Sequence, residues 1–155
     1  VTAPFSRASG SPEPGSAASV ALDPRFRGGT DGAAGLRFAG YAAVFDRADR
    51  GGDVVRAGAF GPVGPVPLLW QHNGAPVGVI EQAGEDMRGL RVIGRIDDAR
   101  LAGLVRSGAV SGLSFGYRVK AAARGRYREL TAVDLVEVSL VAQPMQPLAR
   151  VHAIA

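Results

Sequence analysis

Apolar residues along this chain recur mostly in short alternating runs, the period of half-buried strands rather than of helices. Leu36–Phe45 alternates around Phe38 and Tyr41 and ends at the turn cluster Asp46-Arg-Ala-Asp-Arg-Gly-Gly. Asp53–Val55 is a short extended piece leading to Gly58-Ala-Phe60, and Val66–His72 reads as a third strand. Val77–Gln82 and Arg88–Ile96 bracket Gly84-Glu-Asp-Met, which predicts a hairpin. Val110–Lys120 and Arg126–Ala142 have strand character again. One segment breaks the rhythm. In Asp98–Ser107, Leu101, Leu104 and Val105 share a helical face, an aspartate can cap the start and Gly108 can stop the end. Residues 1–35 are rich in Ser, Gly, Pro and Ala without sustained periodicity and predict a disordered leader without chemistry. Residues 36–155 then form one domain. The pattern predicts a mainly β (α+β) fold, a small and mostly antiparallel barrel or sandwich with peripheral helix.

Alternation also assigns faces. Around Ser114, the residues Leu113, Phe115, Tyr117 and Val119 form a core stripe, while Gly112, Ser114 and Gly116 share the other side. Two glycines weaken a strand but clear the space beside the serine, where a peptide could approach. The serine is either an ordinary strand residue or a nucleophile with a groove at Gly112 and Gly116. Glu137 is the sharper anomaly, because Val133–Val141 is largely apolar on both faces. A carboxylate there requires a partner, either an arginine or a histidine N–H. His72 falls on the expected face of Val66, Leu68 and Trp70, where a packed core histidine and a general base are both open readings. His152 lies among small apolar residues of the tail and is expected to be incidental.

Composition narrows the chemistry. There is no cysteine, which removes disulfides, thiolate metal sites and a thiol nucleophile, and two histidines do not suggest a His-rich metal centre. No Walker-type loop, dinucleotide fingerprint or His-Glu-x-x-His helix is present, so no cofactor or metal is expected. The acids Asp46, Asp49 and Asp53 sit in a Gly-rich setting that reads as a turn. Ser114 is not in a Gly-x-Ser-x-Gly elbow, which disfavours an α/β-hydrolase. No apolar run approaches the roughly 18 residues that cross a bilayer, and no membrane partner is expected. The net charge of +4 is local: Arg118, Lys120, Arg124, Arg126 and Arg128 lie together without an acid between them. That cluster reads as a solvated hairpin tip, with docking of an acidic partner or nucleic acid as weaker readings.

Taken in order, several segments resemble the prohead (capsid-maturation) proteases of tailed phages, serine peptidases related in fold to the herpesvirus assemblins. They are Gly40-Tyr-Ala-Ala-Val-Phe45, Gly52-Asp-Val-Val-Arg-Ala-Gly-Ala-Phe60, Pro67-Leu-Leu-Trp-Gln-His72, Pro76-Val-Gly78 and Arg88-Gly-Leu90. Leu104–Tyr117 and Val133–Val141 complete the set, so the resemblance runs from about Leu36 to Val151. It implies an assemblin-like β-barrel with flanking short helices, His72 as general base and Ser114 as nucleophile. Glu137 stands where assemblins place a second histidine. The arginine pair that follows in assemblins has no counterpart in Gln143-Pro-Met-Gln-Pro147, which leaves Arg150 or backbone N–H groups as substitutes. The implied substrates are a scaffold or the N-terminal segment of the major capsid protein, inside an immature prohead in the host bacterial cytoplasm. Self-cleavage and a homodimer belong to the same expectation. A non-catalytic scaffold-binding module on the same barrel is the alternative.

Overall fold

A computed structural model of the chain describes residues 5–7, 21–22 and 35–155. Ten strands and one helix follow in the order β1 (Phe5–Arg7), β2 (Ala21–Leu22), β3 (Leu36–Val44), β4 (Asp53–Val55), β5 (Val66–Trp70), β6 (Asn73–Glu85), β7 (Gly89–Ile96), α1 (Ala99–Arg106), β8 (Gly112–Arg124), β9 (Arg128–Val141) and β10 (Val151–Ile154). The expected disordered leader lies, apart from β1 and β2, outside the described residues. The fold is mainly β. All strands join one sheet in the order β1-β8-β9-β5-β6-β7-β3-β10-β2, with β4 attached to β9.

Most pairings are antiparallel, but β5 and β4 each run parallel to β9 and β2 runs parallel to β10. Register along β5 sets Leu68, Leu69 and Trp70 beside Val138, Ser139 and Leu140. The sheet curls until residues near β10 meet the start of β8. The Leu113 amide donates to the Ala149 carbonyl at 2.9 Å and the Val151 amide to the Ser111 carbonyl at 2.8 Å. Gly40 marks this closest approach, since a Cβ there would lie 2.4 Å from the Arg150 carbonyl oxygen and 2.8 Å from Leu113. β10 is absent from the sequence expectation because four residues are too short to show alternation.

The concave side holds one apolar core including Phe38, Leu68, Ile80, Leu90, Val92, Leu113, Val138 and Leu140, all shielded from solvent. Phe60 packs edge-on against Phe115 at 5.4 Å between centroids, and Phe115 lies 4.8 Å from Tyr117. Helix α1 closes one side through Leu101, Ala102 and Val105. Its start is fixed by Asp98, whose side chain accepts the Leu101 amide at 2.9 Å, and it stops before Gly108 at φ 81°. This is the one helix among the described residues, where the sequence expectation had flanking helices in the plural.

Parity along β9 differs from the simple alternation. Gly116 pairs with Glu137 but Tyr117 pairs with Leu135, so Val136 is the extra residue of a bulge. The bulge puts Val133 in the same core as Val138 and Leu140. Glu137 therefore does not share the face of Val133, as strict alternation had implied. It is turned to the other side of the sheet, together with Ser139. We expect Leu68→Ala, which empties a fully buried position between β9 and β6, to lower stability by about 2–5 kcal/mol. In urea titration this lowers the midpoint and leaves the slope unchanged.

Candidate active site

His72 does not extend a strand. β5 ends at Trp70, which pairs with Asn73, and the chain reverses through Gln71 and His72 at φ 53° and 60°. Two central residues of positive φ define the hairpin turn whose twist matches the flanking strands. Neither is glycine, so each carries strain of order 1–2 kcal/mol. The turn is held from β9. The Gln71 amide donates to the Leu140 carbonyl at 2.9 Å, and the Gln71 Oε1 accepts the Ala142 amide at 2.8 Å. The His72 amide donates to Ser139 Oγ at 3.0 Å. Neither turn position is a glycine, which is why His72 reads as strand from the residues alone.

This turn carries the His72 ring onto the sheet face that holds Glu137. The ring Nδ1 lies 2.5 Å from Glu137 Oε1, with both side chains nearly excluded from water. Ser139, two residues along β9 and fully buried, donates its hydroxyl to Glu137 Oε2 at 2.8 Å. Both carboxylate oxygens thus act as acceptors, which places the ring proton on Nδ1 and leaves Nε2 as the basic nitrogen. The carboxylate partner is the histidine. Among the arginines, Arg56 pairs with Asp46 and Glu129, and Arg128 pairs with Asp53.

Register brings the serine to the same place. Ser114 faces Ser139 directly across the β8–β9 ladder, and Gly116 faces Glu137. Side chains at directly opposed positions stand on one face with Cβ atoms about 4.5–5.5 Å apart. Ser114, Ser139, Glu137 and the His72 ring therefore occupy one patch. Ser114 Oγ is buried and makes no hydrogen bond, so the serine–histidine bond is not formed in this closed arrangement. Gly116 leaves the position beside Glu137 without a side chain. Gly112 is already covered: a Cβ there would lie 2.9 Å from Pro144 Cδ and 2.6 Å from the Val141 carbonyl oxygen.

The covering segment follows β9. Its Gln146 side chain is buried and inserts like a missing strand, accepting the Val44 amide at 2.8 Å and donating to the Val44 carbonyl at 3.0 Å. Only about 10 Å³ remains between Ser114, Ala42, Asp49, Met145 and Gln146, room for roughly one water. Sequence reasoning missed Gln71, Ser139 and Gln146. For Ser139 a signal existed, a second polar residue two positions from a buried acid on a two-sided apolar strand.

The remaining candidates lie elsewhere. His152 is exposed on β10 and packs against Tyr41 at 5.7 Å. Arg150 donates to Ser111 Oγ at 3.0 Å and to the Pro147 carbonyl at 2.9 Å. Its burial, and then Arg50, draw its pKa below the ordinary arginine range. Asp49 forms a turn, accepting the Gly51 and Asp53 amides at 2.8 and 2.9 Å. The basic cluster is the exposed far end of the β8–β9 hairpin, with Arg128 paired to Asp53 at 2.7 Å and Lys120 to Asp134 at 3.6 Å.

Residues 25–155, which contain every residue of this patch, match the family described as caudovirus prohead serine protease. The chain belongs to that family. It is also similar to the prohead protease of Enterobacteria phage HK97, with 34% identity over 101 residues, 57% of this chain and 44% of that protein. The chain thus spans less than half the length of that relative. In this prohead-protease family member, removal of the buried pin by Gln146→Ala strands the Val44 amide and carbonyl. We expect a loss of about 2 kcal/mol and faster hydrogen exchange at Val44, measured by NMR.

Proposed function

We propose that this chain is a serine endopeptidase of prohead maturation, acting through an acyl-enzyme on Ser114 with His72 as general base and Glu137 as its orienting carboxylate. The observation that carries the reading is the buried 2.5 Å contact from His72 Nδ1 to Glu137, on the face where Ser114 stands. Two serines oppose each other there, and their bonding separates them. Ser139 already uses its proton on Glu137 and its lone pair on the His72 amide. Ser114 has its hydroxyl uncommitted.

A serine hydroxyl needs a base to take its proton during attack. In this reading His72 Nε2 accepts the Ser114 proton as Oγ attacks the scissile carbonyl, and the imidazolium is stabilised by Glu137. The same proton passes to the leaving amine, and water then releases the acyl group by the reverse sequence. A peptide reaches Ser114 Oγ only when the side chains that cover it shift, because the atom has no access to solvent in the closed site. Hydrogen bonds of this kind are commonly loose before substrate arrives.

The proposed substrates are scaffold and the N-terminal segment of the major capsid protein, within an immature shell in the bacterial cytoplasm. The chain itself is a further candidate substrate, and an assemblin-like β-barrel and homodimer belong to the same proposal. The enclosure of Ser114 favours a second reading, a non-catalytic module that binds scaffold. Co-expression with capsid protein tests both. The endopeptidase reading expects trimmed capsid protein with the natural sequence and full-length protein with Ser114→Ala. Glu137→Gln, which keeps shape but removes the charge, should slow cleavage about 10⁴-fold. Normal trimming by Ser114→Ala would refute the reading, while co-purification without any trimming would favour the binding module.

A further inference from the structure

We infer that Ser139 is a positioning residue for the active site, locking the His72–Glu137 pair through its single hydroxyl. This rests on the reading of His72, Glu137 and Ser114 given above.

A serine hydroxyl has one proton and lone pairs, and here both functions are engaged. Oγ accepts the His72 backbone amide at 3.0 Å and donates to Glu137 Oε2 at 2.8 Å. The ring closes through His72 Nδ1 and Glu137 Oε1 at 2.5 Å. Backbone, hydroxyl, carboxylate and imidazole of three residues thus form one buried cycle. Two consequences follow for the chemistry.

The terminal torsion of a glutamate is broad and nearly two-fold. A single bond to His72 leaves the carboxylate plane free to rotate about that bond. The second bond, from Ser139, fixes the plane and so the line along which the imidazole is held. The other consequence concerns the backbone. His72 sits in a left-handed turn that no glycine relieves. Its amide is anchored to Ser139 rather than to a ladder carbonyl, so the hydroxyl also sets where the ring begins. Alanine removes both restraints, and valine would fill the site without supplying either bond. Threonine keeps the hydroxyl. Ser139 also pairs in register with Ser114 across the ladder, which makes it the neighbour from which the base and the nucleophile are both located.

The test compares the natural sequence with Ser139→Ala, Ser139→Cys, Ser139→Thr and Ser114→Ala on a peptide spanning a capsid-protein cleavage junction. It adds ¹H NMR of the His72 Nδ1 proton, expected well downfield of the amide envelope. Ser139→Ala and Ser139→Cys should lower kcat about 100-fold with KM little changed, the scale of a misplaced catalytic group. Both should lose or shift the downfield proton, and Ser139→Thr should keep the resonance and most of kcat. A folded Ala or Cys variant with unaltered kcat, or with the downfield proton unchanged, overturns the inference. Failure of both variants to fold overturns it as well, since the hydroxyl would then serve the fold rather than the site. Cleavage that persists in Ser114→Ala would sink the proposed active site instead, and the NMR comparison would still report whether Ser139 holds His72.

Discussion

The structure depends on the burial of one carboxylate. Taking a carboxylate out of water costs several kcal/mol unless its oxygens are bonded. Glu137 lies on the inner part of β9, with neighbours Val138 and Leu140 in the core and its own side chain almost wholly covered. Its two oxygens are satisfied by two different residues, His72 and Ser139. Either partner alone would leave half of the carboxylate unbonded in an apolar setting. Full bonding of both oxygens is the condition under which a buried polar group specifies one geometry.

Several local departures from regular structure serve that network. The bulge at Val136 turns Glu137 and Ser139 away from the core while Val133, Val138 and Leu140 stay in it. A strained turn of two positive-φ residues delivers His72 from the end of β5, and the parallel alignment of β5 with β9 sets that end beside Leu140. The strain is tolerated because four hydrogen bonds tie Gln71 and His72 to β9 and the residue after it. Gly116 keeps the place opposite Glu137 without a side chain. Gln146 then fastens the segment that roofs the serine onto Val44.

Most of the strands, the single helix and its cap could be read from periodicity, because each is a local pattern of alternation or of helical spacing. The core stripe Leu113, Phe115 and Tyr117 is buried as alternation implied. The burial of Glu137 demanded a donor, but the residues alone left an arginine and a histidine both open, and only the resemblance to prohead proteases set His72 beside it. What was hidden is non-local or turns on a single residue. The bulge at Val136 leaves no mark in the sequence, and without it parity places Glu137 with Val133. The turn at Gln71–His72 lacks the glycine that usually announces it. β10 is only four residues long, and its place beside β3 is set by pairing rather than pattern. The roles of Ser139 and Gln146 emerge only when distant strands are laid side by side.

The chain belongs to the prohead serine protease family, and the mechanism proposed for it puts the attack at one atom, Ser114 Oγ. Labelling with a serine-directed phosphonate followed by intact-mass and peptide analysis tests it most directly. The account predicts one adduct, located on Ser114 and lost when His72 is replaced by alanine. No adduct, or one that forms equally well without His72, would contradict it.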